Sequence, residues 1–257
     1  MKNYFQHYTT CIFIFFLLGF TELAQSAPLA HLEFKPDLLT TQEQQQICHQ
    51  LQTLCTNQSK WRSIRTTNQT IWLLFDNHIA LFIASPNGLK LSQQWSIEQA
   101  DNNSEDYVDI SYFIYPKLFV MDEHRYAVTW IHQYNEMYSG GGANIQLADF
   151  YELKQEGNTQ AFIHGYPFYV DSFTRACFSE NDYKKAQDNC HDELLLTVDI
   201  RFVKPMLWQF NYTYNASLSP VSGQTPPLKN RLTMTIKLDQ PPKRLTFPND
   251  WNIGVNY

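Results

Sequence analysis

Three runs between residues 194 and 238 alternate apolar and polar residues, and this period of two is the feature that most limits what the chain can fold into. Leu194, Leu196, Val198, Ile200 and Phe202 hold even positions, with Thr197, Asp199 and Arg201 between them. Met206, Trp208, Phe210, Tyr212 and Tyr214 repeat the pattern against Gln209, Asn211, Thr213 and Asn215, and Leu232, Met234, Ile236 and Leu238 repeat it again. Successive side chains of a strand point to opposite faces, so each run is a strand with one apolar face. Val203, Lys204 and Pro205 form a short turn that makes the first two runs a hairpin, and a Pro-, Gly- and Ser-containing loop at 217–228 leads to the third. The sheet face so built must be covered.

Upstream segments agree. Val108, Ile110, Tyr112 and Ile114 alternate, as do Tyr126, Val128, Trp130, His132 and Tyr134. Ile71–Phe75 and Ile79–Ile83 are continuously apolar, which predicts central strands buried on both faces, and Pro86, Asn87 and Gly88 turn the chain into a strand at Leu89–Trp95. Before them, Thr40 to Glu43 has the form of a capping box, and Ile47, Leu51 and Leu54 follow at helical spacing, predicting one helix over about 41–54 with its many glutamines in water. With nine to eleven strands, no internal repeat and no strand–helix alternation, the expected fold class is mainly β. It is an antiparallel sandwich or open barrel with one N-terminal helix, forming a single domain over 28–257; a split into two lobes near 100–106 or 179–192 is the alternative. A composition 44% hydrophobic and 15% aromatic supports a packed core, and 17% charged is low for a coiled coil.

The first 27 residues read as a secretory signal peptide: Lys2, an apolar run from Cys11 to Phe20, and a small-residue cleavage region at Ala24–Ala27. The run is about half the roughly 20 residues needed to cross a bilayer, so the processed chain is expected not to span one. Cleavage leaves Cys48, Cys55, Cys177 and Cys190, an even number in a chain sent to an oxidising compartment, which favours two disulfides over a zinc site because the spacings are not those of metal ligands. The neighbours suggest Cys48–Cys55 and Cys177–Cys190. Cysteines seven apart on an unbroken helix stand about 10 Å apart, beyond disulfide reach, so the first pairing requires the helix to end before Cys55. The second closes the polar segment 178–189, which contains Tyr183, at its neck. A loop held this way suits recognition, and equally suits simple resistance to proteolysis.

Nothing in the sequence carries a familiar catalytic motif. The serine-hydrolase elbow, the zinc-protease helix, the phosphate loop and the dinucleotide fingerprint are all missing, and the mature cysteines are engaged in bridges. No catalytic residue, metal or cofactor is therefore assigned. With 19 Lys+Arg against 25 Asp+Glu the chain carries −6, which argues against nucleic acid as a partner. Three features remain. Asp122, Glu123 and His124 place two carboxylates beside an imidazole, although neighbours on extended chain point apart and a solvated turn is the simpler account. Ser139, Gly140, Gly141 and Gly142 form either an anion-binding nest or the tip of a hairpin joining 125–138 to 144–154, where Asp149 interrupts the alternation. Tyrosines crowd the stretch 107–169, Tyr138 at the glycine run among them, and serve as core or as anchors for a partner.

The stretch from His124 to Leu153 resembles exported, mostly uncharacterised proteins of Gram-negative bacteria. That resemblance implies a periplasmic address and supplies no catalytic residue. By analogy of class, small disulfide-bonded periplasmic proteins without enzymatic motifs resemble inhibitors or immunity proteins. The functional expectation is an exported periplasmic binding protein, an inhibitor or immunity-type protein. It would block another envelope protein by inserting 178–189 or the glycine tip into its cleft, with Tyr138, Ser139, Gly140, Gly141, Gly142 and Tyr183 as candidate binding residues. The alternative is an envelope hydrolase or glycan-binding enzyme whose groups, drawn from Asp122, His124, His132, Asp149 and His164, converge only in three dimensions.

Overall fold

The computed structural model describes residues 31–36, 39–52, 55, 60–66, 69–97, 109–223, 229–251 and 253; the leader expected at 1–27 lies outside them. In chain order the elements are β1 (His31–Glu33), β2 (Lys35–Pro36), α1 (Thr41–Leu51), β3 (Arg62–Arg65), β4 (Thr70–Phe75), β5 (His78–Ser85), β6 (Gly88–Ser96), β7 (Asp109–Ile114) and β8 (Lys117–Val120). The second half comprises β9 (Tyr126–Tyr138), β10 (Gly141–Leu153), β11 (Thr159–Arg175), α2 (Glu180–Ala186), β12 (His191–Lys204), β13 (Leu207–Ser217) and β14 (Asn230–Lys237). The fold is mainly β, an open sandwich-like pair of antiparallel sheets and not a closed barrel. The smaller sheet runs β2-β3-β4-β5-β6; the larger runs β1-β8-β9-β10-β11-β12-β13-β14, with β7 also pairing β9. Fourteen strands exceed the expected nine to eleven because β1, β2, β3 and β8 are two to four residues long, too short for a periodic signal. No helix among the described residues is long and apolar enough to cross a membrane.

The smaller sheet shows how continuous apolar runs are used. In β4, Ile71, Leu73 and Phe75 face α1, meeting Ile47 and Leu51, while Trp72 and Leu74 face the larger sheet, meeting Trp95, Val128 and Trp130. Both faces are covered, so both parities are apolar. Ile83 is the exception. It sits at the open end of β5 between Thr70 and Lys90 and is exposed.

Thr40 caps α1 as the sequence implies: its hydroxyl accepts from the Glu43 N–H at 3.3 Å, and the Glu43 carboxylate accepts from the Thr40 N–H at 2.9 Å. The helix ends at Leu51, and Gln52 turns with φ 50°, bringing the Cys48 and Cys55 Cα atoms to 5.1 Å. Not all the glutamines face water. Gln46 accepts from the Leu89 N–H at 3.0 Å, and Gln50 both accepts from the Leu91 N–H at 2.6 Å and donates to the Leu89 carbonyl at 2.8 Å. These two side chains satisfy the outer backbone groups of Leu89 and the N–H of Leu91 in the first half of β6, an edge strand that would otherwise be open to pairing there.

In the larger sheet β12, β13 and β14 pair as the alternation predicts, with Phe202 opposite Trp208 and Trp208 opposite Ile236. Leu196, Ile200, Trp208, Phe210, Tyr212 and Ile236 form its buried face. A stretch without helix or strand covers part of that face: Phe247 packs edge-on to Tyr212 at 5.0 Å and Trp251 stacks on Tyr214 at 5.0 Å.

Candidate binding surface

β9 and β10 form a hairpin whose turn is Ser139 and Gly140. The three glycines serve close approach and not an unusual backbone: positive φ among the described glycines falls at Gly88, Gly157, Gly165 and Gly223. A Cβ on Gly141 would stand 2.2 Å from the Phe173 carbonyl oxygen and 2.8 Å from the Tyr138 hydroxyl. A Cβ on Gly142 would stand 2.5 Å from the Met137 sulfur and 3.1 Å from the Phe173 ring. Tyr138 is paired directly with Gly141 across the hairpin and lies over it, an aromatic ring filling the space the glycine leaves. Neither the backbone nor a following helix makes this tip an anion nest, because β10 continues directly as a strand.

The segment 178–189 reaches the same end of the molecule. Cys177 and Cys190 pair with Cα atoms 5.1 Å apart, and the residues between them form α2 where a polar loop is expected from the sequence. The overlooked signal is a second capping box: the Ser179 hydroxyl accepts from the Asp182 N–H at 3.2 Å and the Asp182 carboxylate accepts from the Ser179 N–H at 2.9 Å. Arg175 ties the two elements together. Its N–H donates to the Gly140 carbonyl at 2.6 Å, its guanidinium donates to the Tyr183 hydroxyl at 2.7 Å and to the Cys177 carbonyl at 2.8 Å, and it lies 5.6 Å above the Phe178 ring.

Seven large apolar side chains are exposed among the described residues, and five of them, Met137, Tyr138, Phe173, Phe178 and Tyr183, gather here. Met137 and Phe173 flank Gly142 on one face of the sheet, Tyr138 lies over Gly141 on the other, and Phe178 and Tyr183 surround Arg175. This end therefore carries aromatic and methionine side chains of the kind found at interface centres, whereas scattered exposed apolar residues need no account. The structure therefore brings Tyr138, Ser139, Gly140, Gly141, Gly142 and Tyr183 to one end. A cleft of about 460 Å³ opens beside them on the larger sheet, with Tyr138 and Gly142 in its wall.

The candidate acid–base residues separate into two places. Asp122 accepts from the His124 and Arg125 N–H groups at 3.0 and 2.9 Å, so it shapes a turn between β8 and β9. Asp192 is likewise structural, accepting from the Ser219 N–H and the Ser222 hydroxyl. Asp149, however, meets His132 and His164. Its Oδ2 lies 3.1 Å from His132 Nε2 and 3.9 Å from His164 Nδ1, and its Oδ1 accepts from the Gly165 N–H at 2.7 Å.

The cause is a bulge: Ala148 pairs with Tyr166 and Phe150 with Ile163, leaving His164 and Gly165 opposite Asp149 alone, with Gly165 at φ 63°. Burial raises the Asp149 carboxyl, but the hydrogen bonds from His132 and Gly165 outweigh it and hold the group below its ordinary value of 3.8. Burial and the nearby Asp149 charge push Tyr151 up. The interruption of the β10 alternation at Asp149, together with the His-Gly pair in β11, is the signal that could have joined them. Among the described residues no group of three or more His, Cys, Asp or Glu side chains is arranged to hold a metal ion.

Comparison of the chain with protein-family models, with curated proteins and with solved structures finds no match.

Proposed function

We propose that the chain is an exported binding protein of the periplasm, of inhibitor or immunity type, that blocks another envelope protein by seating the 138–142 tip and α2 in that protein's cleft. The observation that carries the reading is the gathering of five exposed aromatic and methionine side chains, from β9, β11 and the segment 178–189, at one end of the molecule, with Arg175 of β11 bonded both to the Gly140 carbonyl and to the Tyr183 hydroxyl. Truncating such anchors costs about 2 kcal/mol or more each at a hot spot, roughly thirtyfold in affinity. The paired cysteines suit an oxidising compartment, and the leader-like residues 1–27 and the resemblance over 124–153 support the periplasmic address. The test is capture from an envelope extract by the mature, oxidised protein, followed by mass spectrometry. A stoichiometric partner retained by the wild type and lost by the Tyr138→Ala/Tyr183→Ala variant is the expected result. Recovery of no stoichiometric partner under several conditions overturns the reading.

A second reading, an envelope hydrolase or glycan-binding enzyme, is favoured by one observation, the contact of His132 with an Asp149 carboxylate fixed by the Gly165 N–H. A positioned imidazole–carboxylate pair is a unit of general acid–base catalysis. Hydrolysis of a cell-wall or ester substrate by the wild type that falls at least about a hundredfold in His132→Ala is what this reading requires. Equal rates in the two proteins dispose of it.

A further inference from the structure

We infer that the cleft beside the tip is a pocket for a basic side chain, lysine or arginine, carried on an apolar segment of the protein partner. This deepens the occlusion reading and rests on it. The cleft holds about 460 Å³, within the range of roughly 300–1,000 Å³ typical of ligand sites. Its floor is apolar, with Ile145, Val170, Leu194 and Ala216 presented by four adjacent strands.

Glu193 also borders the cleft, but it alternates with the floor residue Leu194 and pairs with Phe173, so its side chain belongs to the other face of the sheet. Among the described residues, every charged side chain turned to the cleft is a carboxylate: Glu136, Asp192 and Asp250. Asp192 is engaged by Ser219 and Ser222, while Glu136 and Asp250 are exposed and make no ion pair among the described residues. A lysine or arginine side chain matches both halves of this wall, laying its aliphatic stem on the floor and its charged head among the carboxylates. An anionic segment is repelled, and a bare cation leaves the floor unused. The pocket is also continuous with the aromatic tip, because Tyr138 and Gly142 belong to both and Glu136 lies two residues before Tyr138 on β9. A partner held by the tip therefore presents its neighbouring residues to the cleft, where charge complementarity selects basic ones.

The experiment titrates the mature protein with three probes by calorimetry: a capped hexapeptide alternating lysine and leucine, the same peptide with every lysine acetylated, and spermidine. The lysine peptide is expected to bind, the acetylated peptide to bind at least about tenfold more weakly, and raising salt from about 50 to about 300 mM to weaken the lysine peptide. Glu136→Gln/Asp250→Asn is expected to weaken it at least about tenfold with an unchanged melting temperature, which separates loss of the pocket from loss of the fold. Equal binding of the acetylated peptide, no binding of the lysine peptide below about 1 mM, or tighter binding of spermidine than of the peptide overturns the inference. Capture of a stoichiometric envelope partner together with failure of the basic peptide removes the pocket and leaves occlusion standing. Peptide binding with no partner captured does the reverse.

Discussion

The smaller sheet and the tip of the larger one are finished with the same local devices. Each has a short-range disulfide, a helix started by a capping box, and a glycine beside a hairpin turn: Cys48–Cys55, Thr40 with Glu43 and Gly88 in one, Cys177–Cys190, Ser179 with Asp182 and Gly141 in the other. Their apolar side chains go to different places. α1 lays Ile47 and Leu51 on the face of β4 and β5, whereas α2 buries only Ala186 and leaves Tyr183 in water. Capping and cross-linking fix where a helix sits and how it is oriented. Whether its aromatic residues become core or surface depends on whether a sheet face lies beneath it, and at the tip none does.

Truncations break or sustain this contrast most directly. Leu73 is fully buried between α1 and the interior of the smaller sheet, so Leu73→Ala is expected to cost about 3 to 4 kcal/mol, a fall in melting temperature of roughly 10 °C. Tyr183→Ala and Phe178→Ala, at exposed positions, are expected to stay within about 0.5 kcal/mol of the wild type. Urea or thermal unfolding of the three variants checks this. A tip truncation as costly as Leu73→Ala means that the tip is core and not binding surface.

Acid sharpens the comparison, because the buried carboxylates lie in β10 and not in α1 or α2. Glu152 is nearly enclosed and accepts from Arg125 at 2.7 and 2.9 Å, with Lys154 at 2.7 Å. Burial raises its carboxyl, and these cations outweigh burial to hold it below the ordinary 4.5, as His132 and Gly165 hold Asp149 below 3.8. A carboxyl depressed in the folded state contributes stability that is complete above its unfolded value and is lost as the pH falls through the folded one. The wild type should therefore weaken progressively as the pH falls below about 4.5. Glu152→Gln is expected to cost about 2 kcal/mol at neutral pH and to flatten that slope, and Asp149→Asn to do the same to a smaller degree. The pair Arg65–Glu43 beside α1 is more exposed and should contribute less than about 1 kcal/mol. Denaturant midpoints between about pH 3 and pH 7 measure all three, and an unaltered slope in Glu152→Gln refutes the assignment.

The period of two between residues 194 and 238 was enough to place β12, β13 and β14 and the face they bury, because alternation records which side of a sheet is covered. The end of α1 before Cys55 was legible through the reach of a disulfide. Three things were not. Residues 239–253 carry no periodicity, yet Leu245, Phe247, Trp251 and Ile253 pack on the larger sheet, since a covering strap needs apolar residues only where it touches. α2 was hidden in a polar segment because a helix that buries one alanine shows no stripe, only its cap. The meeting of His132, Asp149 and His164 depends on a β-bulge, and a bulge changes the facing of residues without changing their identity. The hairpin tip at Ser139–Gly142 was legible from its glycines, but of the two things glycine permits, positive φ and close approach, the structure uses close approach, admitting Phe173, Met137 and Tyr138.

That role sets the smallest expected effects. In Gly141→Ala the new methyl collides with the Phe173 carbonyl of β11, backbone that cannot swing aside, so the β10–β11 ladder must shift at a cost of about 1 to 2 kcal/mol. The shift moves Tyr138 and Phe173 and should weaken partner capture as well. In Gly140→Ala, one residue earlier, the methyl meets only the Tyr138 ring at 3.5 Å, an ordinary contact, and φ is not positive. This variant should be neutral or gain a few tenths of a kcal/mol, because alanine has fewer unfolded conformations to lose. At the corresponding hairpin of the smaller sheet the reason differs: Gly88 adopts φ 109°, so Gly88→Ala suffers backbone strain even if the Gln46 side chain gives way. Melting curves of the three variants separate collision, tolerance and strain. A Gly140→Ala protein as unstable as Gly141→Ala would show that the tip needs its glycines for conformation after all.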